Sequence, residues 1–133
     1  MEAICGTDAT QTVLVLDDDD SSRFVLRAIL ERAAIAVLDA SHAAGAVEIC
    51  RSHPQAISLM VADVVLRGPG GPGAVAEIRG LRPEMAILFV SGYPLEHLEG
   101  RGLIDGQEIG AEEFLQKPFT PQAFMSAVRN LIG

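Results

Sequence analysis

Apolar residues recur along the chain with two different periods, and the switches between them mark out the elements. Thr12–Leu16 reads Thr-Val-Leu-Val-Leu, apolar without alternation, and closes on Asp17-Asp18-Asp19-Asp20. A run with no polar face suits a strand covered on both sides. The pattern then turns helical: Phe24, Val25, Ala28 and Ile29 share one stripe, so a helix is expected from about Ser21, with Asp20 or Ser21 as its N-cap. A short strand is predicted at 35–38, and a helix at 43–51 that Ser41 starts and that stops before Pro54. A third apolar run, 57–62, again ends on a carboxylate, Asp63. A Gly/Pro loop at 67–73 leads into a helix at 74–82, and a fourth strand at 86–90 ends in Ser91-Gly92. Gly100, Gly102, Gly106 and Gly110 then leave room for only a short helix near 95–99. A fifth strand is expected at 113–116. Thr120 caps the last helix, Pro121 takes its first position, and Phe124, Val128 and Leu131 form its apolar face. Five strands alternating with five helices predict an α/β domain, a parallel sheet with helices on both faces.

The 133 residues amount to one domain, read as a polar lead-in at 1–11 and a folded unit at 12–133. With 18 acidic against 10 basic residues the formal net charge is −8, the opposite of what a nucleic-acid or anionic-membrane surface requires. No apolar run reaches the roughly 20 residues that span a bilayer, and the first residues lack the basic-then-apolar order of a signal peptide. Cys5 and Cys50 make neither a disulfide framework nor a metal spacing, and His42, His53 and His97 have no ligand spacing, so a reduced, cytoplasmic protein is expected.

The chemistry lies at one edge. In open parallel sheets, ligands sit beyond the carboxyl ends of the strands, near the point where strand order reverses. The residues predicted there are Asp17, Asp18, Asp63, Ser91 and Lys117. Carboxylates held ~5 Å apart repel by roughly 3 kcal/mol per pair at an effective dielectric of 20. Three of them must take up protons or recruit a cation. Lys117 supplies one positive charge, and a divalent ion that prefers oxygen supplies the rest. With no paired His or Cys among the candidates, magnesium fits better than zinc. A metal held by few carboxylates keeps positions for phosphoryl oxygens, to which a hydroxyl and an ammonium can also donate. The residues point to a magnesium-dependent phosphoryl site.

The motifs Val13-Leu14-Val15-Leu16-Asp17-Asp18-Asp19, Asp63, Ser91 and Lys117-Pro118-Phe119 together resemble the receiver domain of two-component response regulators. The resemblance runs from about Thr12 to Ile132. Ser91-Gly92-Tyr93 and Leu115-Gln116-Lys117-Pro118-Phe119 are most similar to receivers associated with hybrid sensor histidine kinases. It implies a flavodoxin-like, doubly wound sheet in the order 2-1-3-4-5. It further implies that Asp63 accepts a phosphoryl group from a phosphohistidine of a sensor histidine kinase or histidine phosphotransfer protein. Mg²⁺ would be held by Asp18, by Asp17 partly through water, by Asp63 and by the backbone carbonyl of Val65. Lys117 would pair with a phosphoryl oxygen or with Asp63. Ser91 would donate to another phosphoryl oxygen and, with Phe114, switch the face made by the fourth helix, fifth strand and last helix, a surface open to homodimerisation. A cis bond before Pro118 is implied as well. Such a domain is a stoichiometric phosphoacceptor, with slow dephosphorylation its only turnover. Its signal is expected to pass to a partner, a dimer mate or a longer protein.

Three departures stand out. Arg67 occupies a place where the family usually has proline, Phe114 stands where many members carry tyrosine or another aromatic and so lacks a phenolic hydrogen bond, and the stretch from Ser91 to Lys117 is longer than usual and rich in glycine. Three other readings compete. A haloacid-dehalogenase-type phosphatase would use Asp17 as nucleophile, but it wants an acidic pair after the lysine and leaves Asp63 without a role. A flavin domain would not place four aspartates where the phosphate binds. A receiver used only for docking would not need the complete acidic and basic set.

Overall fold

The unbroken apolar run at 12–16 becomes β1 (Thr12–Leu16), and its alternate side chains serve opposite faces of the sheet. Val13 and Val15 enter one core, Leu14 and Leu16 the other, which is why no polar position interrupts the strand. This computed structural model describes residues 11–64, 71–94, 96 and 113–132. In it β1 pairs with β2 (Ala36–Ala40) on one side and β3 (Leu59–Asp63) on the other. Next come β4 (Ala86–Ser91) and β5 (Phe114–Gln116), all parallel, in the expected order β2-β1-β3-β4-β5. Numbered over the described residues, the helices are α1 (Asp20–Arg32), α2 (Ala43–Ser52), α3 (Gly71–Leu81) and α4 (Pro121–Ile132). The short helix expected near 95–99 lies outside the described residues except for Glu96, as do residues 1–10 of the lead-in.

The chain steps from β1 outward to β2, then back across β1 to β3, and right-handed crossovers place the helices of these two connections on opposite faces. Accordingly Leu26 and Leu30 of α1 pack with Phe124 and Val128 of α4 on the Val13/Val15 face. Ala46, Val47 and Cys50 of α2 pack with Ile78 of α3 on the Leu14/Leu16 face. Burial pushes the Cys50 thiol up, as befits a core residue rather than a reactive one.

Several local expectations are corrected. The N-cap of α1 is Asp19, not Asp20 or Ser21: its backbone is extended and its carboxylate accepts from the Ser22 N–H at 2.9 Å, while Asp20 is already helical. The helix also presents a different face. Phe24 and Val25 are 73% and 53% exposed, and Leu26 and Leu30 are buried in their place. In α2 the cap is His42 rather than Ser41, with Nδ1 accepting from the Gly45 N–H at 3.1 Å. A Cβ on Gly45 would come within 3.3 Å of the imidazole, so this cap fits closely against a residue with no side chain. By contrast, α4 is as expected: Pro121 opens it, and Thr120 Oγ1 accepts from the Ala123 N–H at 3.0 Å. The Lys117–Pro118 bond is cis, as the resemblance implied.

Candidate functional site

The site is built at the carboxyl ends of the strands, from their last residues or the residues just after them. Asp17 follows β1, and its N–H donates to the carbonyl of Ala40, the last residue of β2, at 3.1 Å. Asp63 is the last residue of β3, opposite Val90, and Ser91 closes β4 opposite Gln116. Lys117 follows β5, with its N–H on the Ser91 carbonyl at 2.7 Å. Strand order reverses about β1, so Asp17 and Asp63 flank the crevice where the fold leaves room for a ligand.

Asp17, Asp18 and Asp63 each offer a carboxylate oxygen, and these three atoms lie within 4.8 Å of one another. Lys117 Nζ stands 3.3 Å from Asp17 Oδ2 and 3.4 Å from Asp63 Oδ2, shared between the two rather than closed on either. Lys117 thus offsets part of the negative charge of the carboxylate trio. An octahedral ion with oxygens at ~2.1 Å separates them by about 3 Å on an edge and about 4 Å across the centre. The oxygen-only donor set and its spacing therefore fit Mg²⁺ after a small contraction, and the absence of nitrogen or sulfur in the trio argues against zinc.

The three side chains differ in access. Asp17 is 1% exposed, accepts from the Asp19 N–H at 2.9 Å through Oδ1 and faces Lys117 through Oδ2, whereas Asp63 retains 13% exposure. Asp63 is thus the more accessible of the two carboxylates. Ser91 is buried, and its Oγ accepts from the Tyr93 N–H at 3.0 Å, a bond that uses a lone pair and not the hydroxyl proton. Phe114 is half-buried, pairs with Phe89 across β4 and β5, and packs against the Leu14/Leu16 core. Val65, Arg67 and the glycine-rich stretch 97–112 lie outside the described residues. Sequence reasoning missed Arg23, whose guanidinium holds the Asp17 carbonyl at 2.8 Å. The only signal for it was the i, i+3 spacing from Asp20.

Comparison with known proteins identifies the family and the fold. The family model described as the response regulator receiver domain matches residues 13–129. The transcriptional regulatory protein FixJ of Azorhizobium caulinodans is 31% identical over 121 residues, covering 91% of this chain and 54% of that protein. The sensor kinase CckA of Brucella abortus is 28% identical over 132 residues, covering 99% of this chain but 14% of the kinase. The chain thus spans about half of the first relative and a small part of the second. Among solved structures, a response regulator receiver protein from Sinorhizobium medicae superposes with a TM-score of 0.77 at 26% identity, over 95% of this chain and 97% of that one. The receiver domain of the hybrid histidine kinase CckA shares the fold, with a TM-score of 0.73 at 23% identity, over 92% and 99%.

Proposed function

This chain belongs to the response regulator receiver domain family, and from that premise we propose that Asp63 is its phosphoacceptor. The donor is a phosphohistidine of a sensor histidine kinase or of a histidine phosphotransfer protein. An Asp63 carboxylate oxygen attacks phosphorus as the phosphorus–nitrogen bond breaks. The imidazole leaves with the electron pair, and the product is an acyl phosphate on Asp63. Mg²⁺ would be held by Asp18, Asp63 and, partly through water, Asp17, with the Val65 carbonyl as the further ligand the family resemblance implies, and would offset the charge that builds on the phosphoryl oxygens. Lys117, shared in this structure between Asp17 and Asp63, turns to a phosphoryl oxygen once Asp63 is modified. Ser91 donates its hydroxyl proton to another. Its movement lets Phe114 repack and biases the face around β5 and α4, where a partner or a second copy docks. The domain is a stoichiometric acceptor with slow autodephosphorylation.

The observation that carries this reading is the place of Lys117, 100 residues from Asp17 and 54 from Asp63 in sequence yet within 3.4 Å of both carboxylates. Similarity to the sensor kinase CckA of Brucella abortus supports association with a sensor kinase, and the fold shared with the receiver of a hybrid histidine kinase is consistent with the hybrid type. No helix among the described residues is long and apolar enough to cross a membrane.

Borohydride reduces acyl phosphates, so the modified side chain can be located chemically. After incubation with acetyl phosphate and Mg²⁺, borohydride trapping and peptide mass mapping are expected to place the reduced side chain at Asp63. Reduction at Asp17 would favour the phosphatase reading, and a borohydride-resistant phosphate on Ser91 would overturn the acyl phosphate.

A further inference from the structure

Four consecutive aspartates stand at the mouth of the crevice, yet only Asp17 and Asp18 lie close enough to Asp63 to share a cation with it. Arg23, one turn into α1, sits where it can enforce that division. Its side chain is largely buried, and its Nη1 donates to the backbone carbonyl of Asp17 at 2.8 Å. Its Nη2 donates to Asp20 Oδ1 at 2.6 Å, and its Nε lies 3.9 Å from Asp39 Oδ2.

We propose that Arg23 is a positioning residue for the cation site, fixing the peptide that joins Asp17 to Asp18 while keeping Asp20 out of the ligand set. The proposal rests on the reading of Asp17, Asp18 and Asp63 as the Mg²⁺ ligands. A peptide is planar, so holding the Asp17 carbonyl sets the plane from which the Asp18 backbone continues. The rest of this turn is tied as well: the Asp17 N–H bonds to Ala40, and Asp17 Oδ1 accepts from the Asp19 N–H. The Asp17 carbonyl lies past the end of the β1 ladder, where a buried carbonyl needs a donor from elsewhere. The arginine fork supplies that donor and binds Asp20 with its second nitrogen, a division that a lysine with one ammonium cannot reproduce in the same geometry.

Charge and position act in opposite directions here, which makes the idea testable. A cation beside the site repels Mg²⁺ through space, so removing Arg23 for its charge alone would tighten binding. Asp20 and Asp39 offset much of that field. Loss of positioning weakens binding instead, and outer-shell substitutions at metal sites typically cost tenfold or more in affinity.

The test is calorimetric titration of the whole chain with MgCl₂, for wild type, Arg23→Ala and Arg23→Lys, with circular dichroism confirming the metal-free fold. Arg23→Ala is expected to bind Mg²⁺ about tenfold more weakly, with Arg23→Lys in between. The Mg²⁺ concentration for half-maximal phosphorylation by acetyl phosphate should rise in the same order. A purely structural role would lower the melting temperature and leave the affinity of the folded protein unchanged. Affinity equal to or tighter than wild type in both variants overturns the proposal, and if the alanine variant does not fold, the lysine variant decides alone. Wild type that binds no Mg²⁺ overturns the reading of the site and this proposal with it. Wild-type binding that the variants share in full overturns this proposal only.

Discussion

Asp17, Asp18, Asp19 and Asp20 are chemically identical, and the fold gives each a different environment. Asp17 is sealed at the end of β1, Asp18 joins Asp17 and Asp63 in the carboxylate trio, Asp19 caps α1, and Asp20 pairs with Arg23. The sequence announces the cluster but not this division, because the division depends on where α1 begins, and it begins one residue earlier than its spacing predicts. A second residue-scale feature gave no signal at all. Ala34 sits at φ 64, the left-handed region usually given to glycine. It forms the end of α1 with two bonds, Ile35 N–H to the Leu30 carbonyl at 3.1 Å and Ala34 N–H to the Glu31 carbonyl at 3.0 Å. This is a Schellman turn made without the residue that normally marks one. Ala34→Gly relieves a conformational cost of roughly 1–2 kcal/mol and gives back part of it as unfolded-state entropy. The expected net gain is about 0.5–1 kcal/mol, read as a higher thermal midpoint; a lower midpoint would contradict the assigned turn.

Among the elements, α1 shows why helical spacing alone does not identify a buried face. Phe24, Val25, Ala28 and Ile29 form one stripe and Leu26, Ile29 and Leu30 an overlapping one, both apolar. The sheet covers the second, so Leu30 is fully buried while Phe24 is the more exposed. Leu30→Ala is therefore expected to cost about 2–5 kcal/mol in urea unfolding, whereas Phe24→Ser changes stability by no more than about 0.5 kcal/mol. The reverse ranking would mean that the helix packs through its other stripe. Strand ends were misplaced for a related reason. The expected β2 stops at the first polar residue, but the strand runs on through Asp39 to Ala40, because Asp39 on this edge strand is held by Arg27 at 3.0 Å. Conversely, the apolar run before β3 begins at Ile57, which is buried although pairing starts only at Leu59. Apolar runs report burial, and hydrogen-bonded pairing need not start with it. The cap at Thr120 was legible, whereas that of α1 was misplaced within a run of four equivalent aspartates, and that of α2 was missed because an imidazole, His42, does the capping.

For the whole molecule, the alternation of strands and helices was enough to predict the parallel sheet, since unbroken apolar strands demand cover on both faces and α1/α4 and α2/α3 provide it. The strand order, implied by the family resemblance, then brings four separate stretches of sequence to one edge. Asp17, Asp63, Ser91 and Lys117 were legible as a group because each follows or closes a predicted strand. Their mutual distances were not, because they depend on ladder register: the Asp17 N–H on Ala40, the Lys117 N–H on Ser91, and Asp63 opposite Val90. The most direct test of what this edge does is intact mass after incubation with acetyl phosphate, with and without Mg²⁺, on wild type, Asp63→Asn and Asp17→Asn. The account predicts a Mg²⁺-dependent gain of one phosphoryl group in wild type and none in Asp63→Asn. An adduct that persists in Asp63→Asn and disappears in Asp17→Asn would contradict it, as would the absence of any adduct in the wild type.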